Sequence, residues 1–282
     1  MANSPTSSPD APRVALVTGA SSGIGAATAR RLGLAGFTVI GAARRRERLE
    51  ELRDVGIHPL VMDVTDEASL TTGIDFVLAQ HGRVDVLVNN AGYGSYGAIE
   101  EVPLTEARRQ FEVNLFGLAR LVQLVTPSMR AQESGRIINI TSMGGRVATP
   151  FGGWYHATKF ALEGFSDSLR QELAPFGIRV VIIEPGAIRT EWGDIAMDSA
   201  RRASGHGPYA LRVQRMRDRF TGAQAQRLAA EPDVVARAIE RAATAAHPRT
   251  RYAVGGGAKP VVAARRLLPD RVLDTATARL FR

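Results

Sequence analysis

Tyr155 and Lys159 stand four residues apart in Trp154-Tyr155-His156-Ala157-Thr158-Lys159. On a helix that spacing puts a phenol and an ammonium on one face. A neighbouring cation favours phenolate over phenol, and a tyrosine near its ordinary pKa of about 10 is a poor catalyst at neutral pH. The pair can therefore do general acid–base chemistry on a carbonyl or alcohol oxygen. The same spacing also occurs on ordinary helix surfaces. The choice of lysine argues against that reading: among 36 basic residues, lysine occurs only at 159 and 259. Arginine serves everywhere else, and its pKa is too high to share a proton. His156 is not the expected base, because adjacent helical positions point about 100° apart.

A second cluster suits phosphate. Thr18-Gly19-Ala20-Ser21-Ser22-Gly23-Ile24-Gly25 follows an apolar run and opens a helical segment. Gly19 permits a tight turn, while Gly23 and Gly25 allow close approach of backbone to a pyrophosphate. The free N–H groups and dipole of the helix start favour the negative charge. Gly19, Ser21, Ser22, Gly23, Ile24 and Gly25 are the expected cofactor contacts. A plain structural turn would share the glycines, but not their place between strand and helix. The next apolar run ends in Ala42-Ala43-Arg44-Arg45. An NAD site would hold a carboxylate there for the ribose 2′-hydroxyl. Two guanidiniums suit a 2′-phosphate instead, and basic residues at a helix start are otherwise unfavourable. The expected cofactor is NADP(H), with Arg44 and Arg45 on its phosphate.

These residues need a scaffold. Short runs rich in Val and Ile occur at Val14–Thr18, Thr38–Ala42, Pro59–Met62, Val84–Val88, Ile137–Ile140 and Arg179–Ile183, with a seventh at Arg251–Val254. Consecutive apolar positions fit strands buried on both faces. Between them lie helical segments at Gly25–Leu34, Glu47–Val55, Glu67–His81, Glu106–Met129, Tyr155–Pro175 and Pro232–Ala245. Such alternation predicts an α/β fold with a doubly wound, seven-stranded parallel Rossmann sheet in a single domain. Residues 188–222 are read as a long connecting substrate loop. Residues 1–12 are read as a disordered leader, 13–257 as the catalytic domain and 258–282 as a C-terminal extension. That extension reads as an edge-packing or oligomer-contact element; a substrate-entrance flap or membrane-surface anchor is the alternative.

Composition narrows the class. The 282 residues are 45% hydrophobic and 23% charged, with a net charge of +8. There is no cysteine, which removes disulfides and thiolate chemistry and fits a reducing compartment, so a cytoplasmic location is expected. The five histidines are scattered, and no metal is expected. No apolar stretch is long enough for a membrane span. The arginines are not clustered with aromatics, so no nucleic-acid partner is expected.

Together the motifs resemble the short-chain dehydrogenase/reductase family over about residues 13 to 255. The matching pieces are TGASSGIG at 18–25, NNAG at 89–92, Asn114, Ser142, YHATK at 155–159, and Pro185-Gly186 followed by Thr190. The resemblance implies hydride transfer between a nicotinamide and a carbonyl or alcohol. Tyr155 is then the acid or base, and Lys159 lowers its pKa and holds the nicotinamide ribose. Ser142 polarises the substrate oxygen, and Asn114 holds a relay water. Asp63 and Val64 look like adenine contacts, Asn90, Ala91 and Gly92 line the ribose side, and Pro185, Gly186, Ile188 and Thr190 touch the nicotinamide end. Thr158, where the family often has Ser or Ala, is a small departure. Substrate contacts are expected from Tyr93–Tyr96, Met143–Phe151 and the 188–222 segment with Trp192, Met197, Tyr209 and Met216. Their apolar character fits a hydrophobic ketone or alcohol of steroid, retinoid, fatty-acyl or aromatic type, while the several arginines of the 188–222 segment fit a phosphate or carboxylate instead. The family's long helices make a homodimer or homotetramer the expectation. A catalytically silent NADP-binding regulator is the competing reading, and intact Ser142, Tyr155 and Lys159 argue against it.

Overall fold

The computed structural model describes residues 12–280, the Leu280 side chain excepted. The expected leader falls outside the described residues as far as residue 11. Seven strands form one sheet: β1 Val14–Thr18, β2 Thr38–Ala43, β3 His58–Val61, β4 Val86–Asn89, β5 Gly135–Ile140, β6 Ile178–Pro185 and β7 Arg251–Val254. Every pairing is parallel, in the order β3-β2-β1-β4-β5-β6-β7. The order reverses between β1 and β4, where ligand crevices form in such sheets.

Strand residues alternate between two cores. Ala15 and Val17 of β1 pack with α1 (Gly23–Leu34) and α10 (Pro232–Thr244) on one face. Val14 and Leu16 pack with α3 (Glu67–His81), α5 (Gly117–Ala131) and α6 (Gly153–Leu173) on the other. Both faces are covered, which is why the strands read as unbroken apolar runs. A short helix α2 (Arg46–Glu50) follows β2.

The helix expected over Glu106–Met129 is α4 (Leu104–Phe111) and α5 joined by one π-helical turn, Glu112–Phe116, with Asn114 at its centre. The joint packs tightly: a Cβ on Gly117 would lie 2.1 Å from the Val64 carbonyl oxygen.

The 188–222 segment corrects the sequence reading, for it is helical. It contains α7 (Trp192–Ser204) and α8 (Ala210–Thr221), followed by α9 (Ala223–Leu228). Ala196, Met197 and Ala200 on α7 bury against Val213 and Met216 on α8. That i, i+1, i+4 pattern makes an amphipathic stripe that a loop does not need. These helices cap the carboxyl ends of the strands. The extension forms α11 (Ala258–Leu267) and α12 (Asp270–Leu280). Pro260 sits in the first turn of α11, where its missing N–H costs nothing.

Candidate active site

A cleft of about 1380 Å³ runs over the strand ends, from Arg44 to the cap. Its floor is the turn after β1. Gly19 and Gly23 have φ of 68° and 52°, the left-handed region that favours glycine. Gly25 needs its lack of side chain for space: a Cβ there would lie 2.2 Å from the Gly19 oxygen. Helix α1 begins with no side-chain cap and no acidic residue in its first turn. Its free N–H groups and dipole therefore fit an anionic group such as a dinucleotide's pyrophosphate.

The β1 and β4 ends are knitted together. Thr18 Oγ1 accepts from the N–H groups of Asn90 and Ala91, both at 3.0 Å. Asn90 Nδ2 donates to the Thr18 carbonyl at 2.9 Å. The Asn90 side chain thus braces the glycine turn as well as lining the cleft.

At the end of β2, Arg45 folds over the turn. It donates to Ser21 Oγ at 3.0 Å and Ser22 Oγ at 2.7 Å. Arg44 lies 3.8 Å from the Asp63 carboxylate. The sequence reading found no carboxylate beside these arginines. The fold brings two, Asp63 to Arg44 and, from far along the chain, Glu191, which pairs with Arg45 at 3.1 Å and Arg48 at 2.6 Å. Arg48 first, then Arg45, holds the Glu191 carboxyl below its ordinary pKa.

The reacting end lies between β5, α6 and β6. Tyr155 and Lys159 are both buried. Ser142 lies beside the Tyr155 hydroxyl and favours its anion, accepts from Gly144 N–H at 2.9 Å and reaches the Pro185 carbonyl at 3.4 Å. Lys159 Nζ donates to the Ile140 carbonyl at 2.9 Å and sits 5.9 Å from the Tyr155 ring centre. The expected depression of the Tyr155 pKa is absent. Burial pushes the phenol up to about 12, with Ser142 opposing. Burial also brings Lys159 down to about 8, with Glu163 opposing. The rings of Tyr96 and Trp192, centred 5.7 and 5.0 Å away, crowd the phenol. Desolvation outweighs the ammonium because Lys159 turns to a carbonyl rather than to the phenol oxygen.

Two other phenols stand nearby. Burial pushes Tyr96 well up, and burial followed by the hydrogen bond to Glu106 pushes Tyr93 up. Tyr155 is the phenol of the three with a hydroxyl partner, Ser142, that favours its anion.

His156 lies edge-on to Tyr155, with ring centres 5.6 Å apart, closer than the sequence implied. Both its nitrogens are committed. Nε2 accepts from Thr149 N–H at 3.0 Å, and Nδ1 pairs with the Gly144 carbonyl at 2.9 Å. It ties α6 to the segment after Ser142 and leaves no free nitrogen to act as base. Behind Lys159 lies an ionic knot. Arg251 and Arg146 each approach both Glu163 and Glu184, and Thr141 donates to Glu163 at 2.7 Å.

Of the residues expected at the site, Gly19, Ser21, Ser22, Gly23, Ile24, Arg44, Arg45, Asp63, Val64, Asn90, Ala91 and Gly92 line the cleft. So do Tyr93, Ser142, Met143, Tyr155, Lys159, Pro185, Gly186, Ile188, Thr190 and Trp192. Gly25 and Asn114 stand behind its wall. Asn114 Oδ1 accepts from Tyr93 N–H at 3.0 Å, and its Nδ2 donates to the Tyr93 carbonyl and to Thr158 Oγ1. Met197, Tyr209 and Met216, offered as substrate contacts, are not on the cleft. The methionines fill the cap's own core, and Tyr209 bonds Glu100. Reasoning from sequence missed Glu191 and the Arg146–Arg251 knot, whose members join only through the fold. It also missed Phe220, which lines the cleft from α8. Among the described residues no group of three or more His, Asp or Glu could hold a metal, and no helix is long and apolar enough to cross a membrane.

Comparison with known proteins gives concordant matches. The family model of short chain dehydrogenases matches residues 13–199. An NADPH-dependent 3-dehydrocapnine reductase of Ornithobacterium rhinotracheale is 36% identical over 273 residues, covering 93% of this chain and 95% of that protein. The crystal structure of a short-chain dehydrogenase from Streptomyces avermitilis superposes with a TM-score of 0.79 at 39% identity, covering 96% of this chain and 95% of the other. A metagenomic short-chain oxidoreductase in complex with NADP has a TM-score of 0.68 at 30% identity, covering 85% and 95%.

Proposed function

The chain belongs to the short-chain dehydrogenase/reductase family of oxidoreductases, and from that premise we propose that it is an NADP(H)-dependent reductase of hydrophobic carbonyl compounds. The observation that carries this reading is the placement of the Tyr155 hydroxyl, buried on the cleft beside Ser142 with Lys159 one turn along the same helix. The phenol is protonated at neutral pH and is placed to give its proton to a ketone oxygen. Ser142 and Tyr155 together bond that oxygen as negative charge grows on it. A bound nicotinamide supplies the hydride. Lys159 holds the nicotinamide ribose, and Asn114 fixes Tyr93 beside it. The Gly19–Gly25 turn takes the pyrophosphate, and Arg44 and Arg45 take the 2′-phosphate. Asp63 and Val64 border the adenine, Asn90 to Gly92 the ribose, and Pro185, Gly186, Ile188 and Thr190 the nicotinamide. The NADP bound to one relative and the NADPH in the other's name support this choice of cofactor.

Tyr93, Met143 and Trp192 border the place for the substrate, with Tyr96 and Phe220 beyond. Their aromatic surfaces support a ketone with a steroid, retinoid, fatty-acyl or aromatic body. A homodimer or homotetramer through the helix faces that expose Phe116 and Phe160 belongs to the same reading.

The test is NADPH oxidation against a ketone panel with wild type and Tyr155→Phe. The variant should lose turnover by about 10²–10⁴-fold while binding NADPH normally. Equal turnover overturns the assignment of Tyr155. Tight NADPH binding by wild type with no turnover on any carbonyl or alcohol would make the chain a silent nucleotide-binding regulator.

A further inference from the structure

The tail after β7 is used by neither the sheet nor the cofactor turn. Its first helix, α11, is anchored through buried Ala258 and Val262. The chain then turns at Leu268-Pro269 into α12, along which, among the described residues, no other element packs beyond passing contacts. Residues 265–272 are all exposed. At this elbow Leu267 is 80%, Leu268 40% and Val272 47% exposed. Helical spacing groups Val272, Leu273 and Ala276 on one side of α12 and Asp270 and Asp274 on the other.

Cations frame the apolar elbow. Residues 258–280 hold Lys259, Arg265, Arg266, Arg271 and Arg279 against Asp270 and Asp274. Arg265 is tied to Asp270 at 2.5 Å, which pins the turn between the helices. No aromatic residue lies in this stretch, so the stacking platform of a nucleic-acid surface is missing.

The elbow also stands at the mouth of the cleft. Val261 of α11 and Thr277 of α12 line it, together with Arg219 and Phe220 of α8. Cap helix α8 adds exposed Arg219 to the same mouth. Apolar side chains that sink toward acyl chains, ringed by guanidiniums at head-group level, are the pattern of an interfacial helix. We propose that the α11–α12 elbow docks the protein on an anionic lipid surface, with the cleft mouth turned toward the bilayer. This docking is independent of the carbonyl chemistry, since it is read without turnover.

The test is flotation of the full chain with phosphatidylcholine vesicles, alone or containing about one third phosphatidylglycerol. The anionic vesicles should bind about tenfold more protein, and salt should weaken the binding. Leu267→Asp with Leu268→Asp should abolish flotation while thermal unfolding and NADPH binding stay unchanged. Arg266→Glu with Arg271→Glu should remove the preference for phosphatidylglycerol. No flotation at low salt overturns the proposal, as does flotation that both variants keep. A dimer that the Leu267/Leu268 variant dissociates, with no vesicle binding, would show instead that a second copy covers the elbow.

Discussion

On the floor of the cleft, Gly19, Asn90 and Ser142 sit at strand ends, fixed by a positive φ at Gly19 and by hydrogen bonds of the Asn90 and Ser142 side chains to the main chain. On the roof, Trp192 and Phe220 sit on α7 and α8, which pack mainly on each other through Met197, Val213 and Met216. The floor tolerates little change, because a Cβ at Gly25 would meet a carbonyl at 2.2 Å. The roof is held by side-chain packing and can be altered without disturbing the sheet. Under the proposed function, chemistry would belong to the floor and substrate choice to the roof. The two can be separated by substitution.

The largest effect is expected at Lys159, on the floor. Its folded pKa of about 8 lies below the ordinary lysine value of 10.5. Below pH 8 the fold carries a buried charge at full cost. Between about pH 8 and 10.5 the unfolded chain binds the extra proton, so stability rises with pH over that window. Tyr155, raised from 10.0 to about 12, works the other way and lowers stability from about pH 10 upward. Lys159→Met should cut turnover by at least about a hundredfold yet raise stability at pH 7 by on the order of 1–3 kcal/mol. Thermal melts from pH 7 to 10 check it: the variant should lack the rise that wild type shows between 8 and 10. A less stable variant with unchanged slope would mean that Lys159 is mainly a packing residue.

Next comes the cofactor end of the floor. Arg44→Asp with Arg45→Ala should shift the NADPH/NADH preference toward NADH by about 10- to 100-fold. Steady-state kinetics with both cofactors measure it, and an unmoved ratio would show that the 2′-phosphate lies elsewhere.

The floor was largely legible in the sequence. Gly19, Gly23, Ser142, Tyr155 and Lys159 are set by local spacing, and the strands beneath them are contiguous apolar runs. The roof was not. The stripe of Ala196, Met197 and Ala200 was present, but without Val213 and Met216 opposite it a connection looked the same as a cap. Glu191 was illegible for a related reason: its partners Arg45 and Arg48 are 146 and 143 residues away. The Tyr155 pKa went astray because spacing placed Lys159 on the correct face but could not reveal that Nζ bonds the Ile140 carbonyl, nor that aromatic rings desolvate the phenol.

A gentler substitution probes the roof. A Cβ at Gly94 would lie 2.4 Å from the Trp192 ring, and a packed indole cannot yield as a flexible chain end would. Gly94→Ala should push α7 outward and raise KM for bulky ketones roughly threefold to tenfold, leaving NADPH affinity unchanged. A fall in kcat with KM unchanged would place Trp192 with the chemistry rather than with the substrate.

The smallest effect is expected where floor and roof meet. Glu191 stands just before α7 and shares its carboxylate between Arg45 and Arg48, so under the proposed function it would compete with a 2′-phosphate for the same guanidinium. All three side chains are about half exposed, and solvent screens their pairing. Glu191→Gln keeps the shape and removes the charge, and NADPH affinity should rise by roughly twofold to fivefold while NADH affinity stays level. Titration by nucleotide fluorescence measures both. A rise that also sharpens KM for bulky ketones would mean that the Arg45–Glu191 pair transmits cofactor binding to α7, and floor and roof would then be coupled. If KM stays still while NADPH tightens, the two halves of the cleft act separately, as their different construction implies.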